Sequence, residues 1–359
     1  MSFPFSFYLC PMSKFLQILF VFLLSLIKCF GQKDTVLPVS YFSISSKISI
    51  RALEVVSDSK VWFAANHGVW GFTEDAGRSW HIDSIKIDSV FPEFRSIAVL
   101  NDSTALLLSI ASPAYLFKTT NKGKTWKMVY KNINKDIFFD SMKFKDEKNG
   151  IALGDPIDGC FQVLITSDGG ETWQQADCGN IPKALEGEAC FAASNTNVDM
   201  TGSHVWFVTG GKHARIFYSS DHGIHFIAYN TPIAQGEKMT GIFSFDFFNE
   251  NTGIIAGGNY EKTDSSIVNL AITDDRGKTW KEIKSKEPFF GSCIQFNSAK
   301  TFFVTGHNGT FICNGIKNFE IKDQKGNALK YNTLHFSPSG KTVWFAGDKG
   351  RIAFITLAP

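Results

Sequence analysis

The sequence lacks the features that mark several large classes of protein function. Lysine plus arginine (36) and aspartate plus glutamate (34) nearly balance, and a net charge of +2 gives no reason to expect a nucleic-acid partner. No stretch after the N-terminal segment keeps a helical period, which argues against helical-bundle and α/β folds. There is no Gly-rich loop that follows a strand and opens a helix, and no Gly-x-Ser-x-Gly elbow. We therefore expect no cofactor and no nucleic acid.

The sequence also has few histidines at the spacing that metal ligands usually show. Among eight histidines, only His222 and His225 stand at a spacing typical of metal ligands. Both lie inside a drifted copy of the repeat described below, which explains them without a metal. We therefore predict no metal site.

Long hydrophobic runs are confined to the N-terminus. Lys14 is followed by 15–27, in which only Gln17 and Ser25 are polar, and the run ends at Gly31. This pattern is typical of a secretory signal peptide and is short for a membrane span. We predict a cleaved signal over 1–31, a mature domain over 32–359, no integral membrane span after cleavage, and a secreted or periplasmic location. An uncleaved anchor is the alternative.

Cysteines are few. Of seven, Cys10 and Cys29 lie in the predicted signal, and an odd number remains, so at least one thiol should be free. A Cys160–Cys178 bridge is one of the pairings that the sequence allows, because both residues flank loops expected on one face. Sequence alone does not fix the connectivity.

What the sequence does contain is a repeated octapeptide, Ser/Thr-x-Asp-x-Gly-x-Thr-Trp in its clearest form. Five copies occur: TEDAGRSW (73–80), TTNKGKTW (119–126), TSDGGETW (166–173), SSDHGIHF (219–226) and TDDRGKTW (273–280). The Asp or Asn can hydrogen-bond backbone amides of a turn, the Gly supplies a backbone angle that other residues resist, and the Trp begins the next strand. We assign structural roles to Asp75, Gly77, Trp80, Asn121, Gly123, Trp126, Asp168, Gly170, Trp173, Asp221, Gly223, Asp275, Gly277 and Trp280.

The octapeptide resembles the Asp-box, or BNR, repeat of sialidases, sortilin-type receptors and photosystem II stability/assembly-factor-like proteins. Short blades, repeated Trp-Phe strands and Gly-Lys-Thr-Trp turns make the chain more similar to the assembly-factor-like propellers than to sialidases. The resemblance implies a β-propeller and a scaffold role, and it identifies no single activity.

Segments ahead of the octapeptides fall into register seven times, at a spacing of 40 to 55 residues, the size of a four-stranded propeller blade. They are IRALEVV (50–56), FRSIAVL (94–100), FDSMKFK (139–145), GEACFAA (187–193), IFSFDFF (242–248), GSCIQFN (291–297) and YNTLHFS (331–337). We predict an all-β, seven-bladed propeller of four-stranded antiparallel blades. The seventh blade lacks a last strand, which we expect 36–44 to supply, closing the ring.

The third residue of each aligned segment is small: Ala52, Ser96, Ser141, Ala189, Ser244, Cys293 and Thr333. The column of residues just before it predicts the functional site. It reads Arg51, Arg95, Asp140, Glu188, Phe243, Ser292 and Asn332, which should rim the central channel. A solvated channel lined by structural ion pairs is the alternative. Longer loops of blades three to five add further residues, so the predicted ligand-binding set is Arg51, Arg95, Asp140, Asp155, Asp158, Glu186, Glu188, His213, Arg215 and Tyr260.

Two functions fit this set. One is a non-catalytic scaffold that binds a protein or carbohydrate outside the cytoplasm through the channel mouth. The other is a glycoside hydrolase, with Asp140, Glu188 and Tyr260 as candidate catalytic residues. The resemblance to sialidases implies an arginine triad, which Arg51, Arg95 and Arg215 could mimic. The sialidase Arg-Ile-Pro motif is absent, and sialidases have six blades, so the sequence favours the scaffold.

Overall fold

The computed structural model describes residues 35–264, 268–283, 289–314 and 317–357. The predicted signal peptide, with Cys10 and Cys29, lies outside these residues. Apart from a short 3-10 turn at Cys178–Asn180, the described elements are strands. No helix among the described residues is long and apolar enough to cross a membrane.

The strands form seven four-stranded antiparallel blades, which confirms the predicted propeller. From the innermost strand outward, blade one comprises Ile50–Val55, Val61–Ala65, Val69–Thr73 and His81–Ser84; blade two, Phe94–Val99, Ala105–Ser109, Ala114–Thr119 and Lys127–Asn132; and blade three, Phe139–Phe144, Gly150–Ile157, Cys160–Thr166 and Gln174–Gln175. Blade four comprises Val198–Thr201, His204–Val208, Arg215–Ser219 and Ile227–Asn230; and blade five, Thr240–Phe247, Gly253–Asn259, Leu270–Thr273 and Lys281–Glu282. Blade six comprises Cys293–Ser298, Thr301–Thr305, Thr310–Asn314 and Lys317–Lys322; and blade seven, Thr333–Phe336, Thr342–Ala346 and Arg351–Thr356.

The N-terminal strand Val39–Ser43 completes blade seven, as predicted. It pairs antiparallel with Arg351–Thr356, in a register that places Tyr41 opposite Ala353. Just before it, Thr35–Val36 pairs in parallel with the outermost strand of blade six. The first strands of the described chain therefore cover two sheet edges, which an open ring would leave exposed.

Hydrophobic side chains pack between blades and form the core. Seven clusters of buried residues each join two neighbouring blades, including the pair formed by blades seven and one. The octapeptide tryptophans belong to these contacts: Trp126 of blade two packs edge-on against Trp70 of blade one, with ring centroids 5.1 Å apart. Each blade is a sheet with two apolar faces, so it needs a neighbouring blade on each side to bury both of them.

The five octapeptides form the same turn between the third and fourth strands. In blade one, the Asp75 carboxylate accepts the Ser79 amide at 2.9 Å, and the Thr73 hydroxyl accepts the Gly77 amide at 2.9 Å. Matching bonds of 2.9–3.1 Å recur in the other four copies, the drifted copy of blade four included. Each turn also bonds to the turn between the first and second strands, as in the Ala76 amide to the Ser59 carbonyl at 3.0 Å. We call this side of the ring the lower face.

Blade four departs from the predicted register. The segment predicted as its innermost strand, 187–193, forms only the two-residue strand Glu188–Ala189, which pairs with Gly210–Gly211. The innermost strand is instead Val198–Thr201, paired with His204–Val208. Residues 192–197, which precede this strand, bond instead to the innermost strands of the other blades, as described next.

Candidate binding site at the upper face

Residues 192–197, here called the central segment, fill the middle of the ring. On one side, the Asn195 side-chain oxygen accepts the Ser96 hydroxyl at 2.6 Å and the Met142 amide at 3.2 Å. Its side-chain nitrogen donates to the Ile97 carbonyl at 3.0 Å. Asn195 is buried and adopts a φ of 62°, a left-handed conformation that asparagine tolerates better than most residues. This one side chain therefore joins blades two and three at the ring centre.

The central segment reaches blades five to seven as well. The Ser194 hydroxyl donates to the Ser292 carbonyl at 2.8 Å, and the Thr333 hydroxyl donates to the Ser194 carbonyl at 3.1 Å. The Thr196 and Ser244 hydroxyls bond at 2.7 Å. The small residues on the innermost strands leave room for the central segment, which packs against them. The predicted open channel mouth is thus closed by a buried, hydrogen-bonded segment.

Two arginines of the predicted polar column hold this segment from above. Arg51 and Arg95 donate to the carbonyls of Ala193 and Ala192 at 3.5 and 3.3 Å, respectively. The Arg95 guanidinium also pairs with Glu93 at 2.6 Å. Both arginines are therefore engaged by groups of the protein itself. Arg95 also borders the cavity described below.

Glu188 and Arg215 form a buried ion pair. Arg215 donates two hydrogen bonds to the Glu188 carboxylate, at 2.8 and 2.5 Å, and the Thr209 hydroxyl and the Leu185 amide add two more, at 2.5 and 2.9 Å. The side chains are 0% and 10% exposed for Glu188 and Arg215. Since both carboxylate oxygens are occupied, the pair is a structural clamp for the base of the loop that leads to the central segment.

Asp140, Asp155 and Cys190 meet beside this clamp. Their ligand-type atoms all lie within 4.8 Å of one another, and the Asp155 carboxylate accepts the Cys190 amide at 2.7 Å. Asp140 is 1% exposed, and neither of its oxygens has a hydrogen-bond partner among the described residues. Burial raises the pKa of Asp140 well above its usual value and raises the pKa of Asp155 to about 6.

A cavity of about 610 Å³ opens on the upper face, and residues of blades two to five and their connections line it. Cationic side chains of Arg95, Lys212 and Lys238 border it, and much of its wall is apolar. The complete lining is Arg95, Phe138, Asp155, Gly187, Glu188, Ala189, Cys190, Phe191, Ala192, Lys212, Gly236, Lys238 and Met239. Its size lies in the range of ligand pockets.

An aromatic cluster borders the cavity through Phe191. That ring stacks on Phe243 with centroids 4.0 Å apart, and Phe290 packs edge-on against Phe243 at 4.7 Å. Tyr260 and His307 extend the cluster, with ring centroids 5.0 Å apart. The structure places Tyr260 in this aromatic cluster and not among the residues that line the cavity.

The remaining predicted loop residues lie on the rim. Glu186 is exposed and pairs with Lys212 at 2.6 Å, which lowers the pKa of the Glu186 carboxyl. His213 follows Lys212 in the same loop and is half-buried. Asp158 lies at the exposed tip of the blade three hairpin, next to the disulfide that joins Cys160 and Cys178. The free thiols among the described residues, all buried, are Cys190, Cys293 and Cys313.

Comparison with known families supplies the assignment. The sequence model of the family described as Sortilin, neurotensin receptor 3 (Sortilin-Vps10) matches residues 161–343, just over half of the 359 residues. The chain belongs to the Sortilin-Vps10 family. A search of curated proteins found no significant match.

Solved structures with the same architecture cover nearly all of this Sortilin-Vps10 family chain. YCF48 bound to D1 peptide has a TM-score of 0.67 at 12% identity and covers 91% of this chain and 100% of its own. YCF48 from Cyanidioschyzon merolae has a TM-score of 0.63 at 11% identity, covering 89% and 99%. The WD40 β-propeller domain of Doa1 has a TM-score of 0.60 at 11% identity, covering 91% and 98%. At these identities the likeness establishes the shared fold.

Sequence reasoning missed the central segment and the cavity lining from Gly236 to Met239 in this Sortilin-Vps10 family chain. A signal for the first was present. From Val55 to Val61 in blade one, the turn between the first two strands takes six positions, whereas the equivalent stretch from Ala192 to Val205 takes thirteen. That excess length is incompatible with a tight hairpin and indicates an insertion before Val198. For the 236–239 loop, no comparable signal exists.

Proposed function

We propose that this chain is a non-catalytic propeller that binds a segment of a partner protein in the upper-face cavity. The observation that carries the proposal is the cavity itself, which combines about 610 Å³ of space, a largely apolar wall and the exposed cation Lys238, while Arg95 and Lys212 on the same border pair with Glu93 and Glu186. Such a site suits an extended peptide that carries an acidic group next to apolar side chains. Membership of the Sortilin-Vps10 family and the likeness to YCF48, a propeller solved with a bound D1 peptide, support this choice.

The finer parts of the proposal concern location and repeat type. We propose that residues 1–31 are a cleaved signal peptide, that 32–359 is the mature propeller, and that binding occurs outside the cytoplasm. We also propose that the five octapeptides are Asp-box repeats whose role is to fasten the outer hairpins. Their position on the lower face, away from the cavity, supports a structural role.

A glycan is the other ligand class in the proposal, and the aromatic cluster is the feature that would serve it. Half-buried Tyr260 and Phe191 offer ring faces near the cavity. The cationic border has no special role toward a neutral sugar, so the cavity favours the acidic peptide. Hydrolysis of a glycoside has less support, because Glu188 is fully paired and Asp140 is buried.

A charge reversal on the cavity border tests the proposal. Peptides selected from a random library by the purified full chain are assayed by fluorescence polarisation against the wild type and Lys238→Glu. Lys238 is exposed on the cavity border, so the variant should keep the fold and weaken binding of acidic peptides at least tenfold. Lys300→Glu, in an exposed turn of the lower face, is the matched control and should bind like the wild type. Equal affinity of all three proteins would refute binding at this cavity.

A further inference from the structure

We propose that Asp140, Asp155 and Cys190 bind a thiophilic divalent cation of the zinc class. The three ligand-type atoms come from different parts of the chain: the innermost strand of blade three, the second strand of the same blade, and the connection to blade four. Two contacts bring them together. Phe139 pairs with Gly154 across the two strands, and the Cys190 amide donates to Asp155.

The state of Asp140 points to a missing positive charge. Its carboxylate is buried, and both oxygens are without hydrogen-bond partners among the described residues. A buried carboxyl without partners is costly, and a second carboxyl within reach increases the cost. Arg95 is the cation that acts on Asp140, but its guanidinium is already engaged by Glu93 and the Ala192 carbonyl. A bound cation would neutralise this pair of acids.

The donor set selects the kind of cation. Two carboxylates and one thiolate suit a borderline metal such as Zn²⁺, whereas Mg²⁺ and Ca²⁺ prefer oxygen ligands alone. In a tetrahedral zinc site the ligand atoms lie about 3.5 Å apart. Three atoms within 4.8 Å reach that spacing through small side-chain rotations. On binding, the Cys190 thiol and the Asp140 carboxyl release their protons to solvent, and the Cys190 sulfur and the carboxylate oxygens bond the metal.

The fourth coordination position would face the upper cavity. Asp155 and Cys190 both line that cavity, while Asp140 lies beneath them. Three protein ligands with one position open to a cavity are typical of zinc sites that bind a water or an external donor. The metal site is independent of whether a peptide binds, so it is tested without any partner.

Calorimetric titration of the metal-stripped full chain with Zn²⁺ tests the site. We expect one tight site per chain and no comparable site for Mg²⁺. Asp140→Asn and Cys190→Ser should each weaken zinc binding at least tenfold, because each removes a ligand. Cys313→Ser removes another buried thiol, in blade six, and should leave binding unchanged. No zinc site in the wild type, or unchanged affinity in both ligand variants, would overturn the proposal.

A measurement on the wild type alone covers the case of a ligand variant that does not fold. Alkylation by N-ethylmaleimide, followed by peptide mass spectrometry, reports the rate at each cysteine separately. Zinc should slow alkylation of Cys190 at least tenfold, because the metal-bound thiolate is withdrawn from the reagent. Cys313 is fully buried and does not line the cavity, so its rate reports opening of the fold, and zinc should slow it less than it slows Cys190. Equal rates at Cys190 with and without zinc would refute its role as a ligand.

Discussion

The Asn195 side-chain oxygen of the central segment accepts a hydrogen bond from the Ser96 hydroxyl of blade two at 2.6 Å, in the middle of the ring. Two further bonds, from the Met142 amide and to the Ile97 carbonyl, engage the same oxygen a second time and one N–H of the carboxamide. All of these groups are buried away from water. The central segment therefore stabilises the ring from within, in addition to the packing between neighbouring blades.

Replacing Asn195 should destabilise the whole ring. Asn195→Ala leaves three buried groups without partners and should lower the free energy of unfolding by at least about 3 kcal/mol, since unpaired buried groups each cost about 1–3 kcal/mol. Part of that loss is backbone strain at a φ of 62°. Asn195→Gly, which avoids the strain, should recover about 1 kcal/mol. Urea denaturation measures both values, and the exposed Asn230→Ala is the control, with a change within about 0.5 kcal/mol.

Breaking the buried Glu188–Arg215 pair should lower the free energy of unfolding more than breaking the exposed Glu186–Lys212 pair. Arg215→Met leaves the Glu188 carboxylate buried without its partner, and we expect a loss of about 3–5 kcal/mol in the free energy of unfolding. Lys212→Met breaks the solvent-exposed pair with Glu186 and should leave the free energy of unfolding almost unchanged, because water and salt screen exposed pairs. The double variant Arg215→Met with Glu188→Gln should be more stable than Arg215→Met alone. If the two single variants were equally stable, the clamp would have no structural role.

Asp246 should make stability depend on pH. Burial and the nearby Asp199 carboxyl raise its pKa to about 7, despite a hydrogen bond from the Phe296 amide at 2.7 Å and the nearby Lys143 charge. In the unfolded chain an aspartate titrates near about 3.9, so between about pH 4 and 7 the folded chain binds the additional proton. The free energy of unfolding should therefore fall as pH rises across this window.

Asp246→Asn removes this titration while keeping an acceptor for Phe296. Relative to the wild type, the variant should gain about 2–4 kcal/mol between pH 4 and 8, measured by urea denaturation at each pH. Asp75→Asn should show the opposite trend. Hydrogen bonds from Ser79 lower the pKa of Asp75 to about 2, so its contribution is present above about pH 4 and lost as pH falls toward 2. A pH-independent difference for Asp246→Asn would contradict the expected buried titration.

The fold could be predicted from the sequence because the same turn and strand patterns recur in successive blades. Each octapeptide carries its own turn, and each blade repeats the period-two pattern that one packed sheet face requires. Blade four misled the alignment for a physical reason: 187–193 has the same small and apolar residues as an innermost strand. Those residues are small because they lie at the crowded centre and beside the cavity, and their hydrogen bonds go to other blades.

The candidate site was less accessible to sequence reasoning. Arg51, Arg95, Asp140 and Glu188 share a column in the alignment, but a column does not say which side chain pairs with which. Glu188 pairs with Arg215 of the third strand of blade four, whereas Asp140 has no hydrogen-bond partner among the described residues and lies beside Asp155 and Cys190. Such pairing depends on side-chain direction and loop path, which one sequence does not encode in its periodicity.

Alanine substitutions at two glycines with similar backbone angles test the contact between the blade two octapeptide and Trp70 of blade one. Gly123 and Gly326 have φ values of 79° and 82°, but a methyl at Gly123 would overlap the Trp70 ring, whereas one at Gly326 meets no described atom within 4 Å. Both alanine variants carry backbone strain of about 1–2 kcal/mol. Gly123→Ala should cost about 1–3 kcal/mol more, since it also forces apart blades one and two. Thermal and urea denaturation measure the difference. Equal costs would show that Trp70 moves aside freely, and that the octapeptide glycine is required for its turn alone.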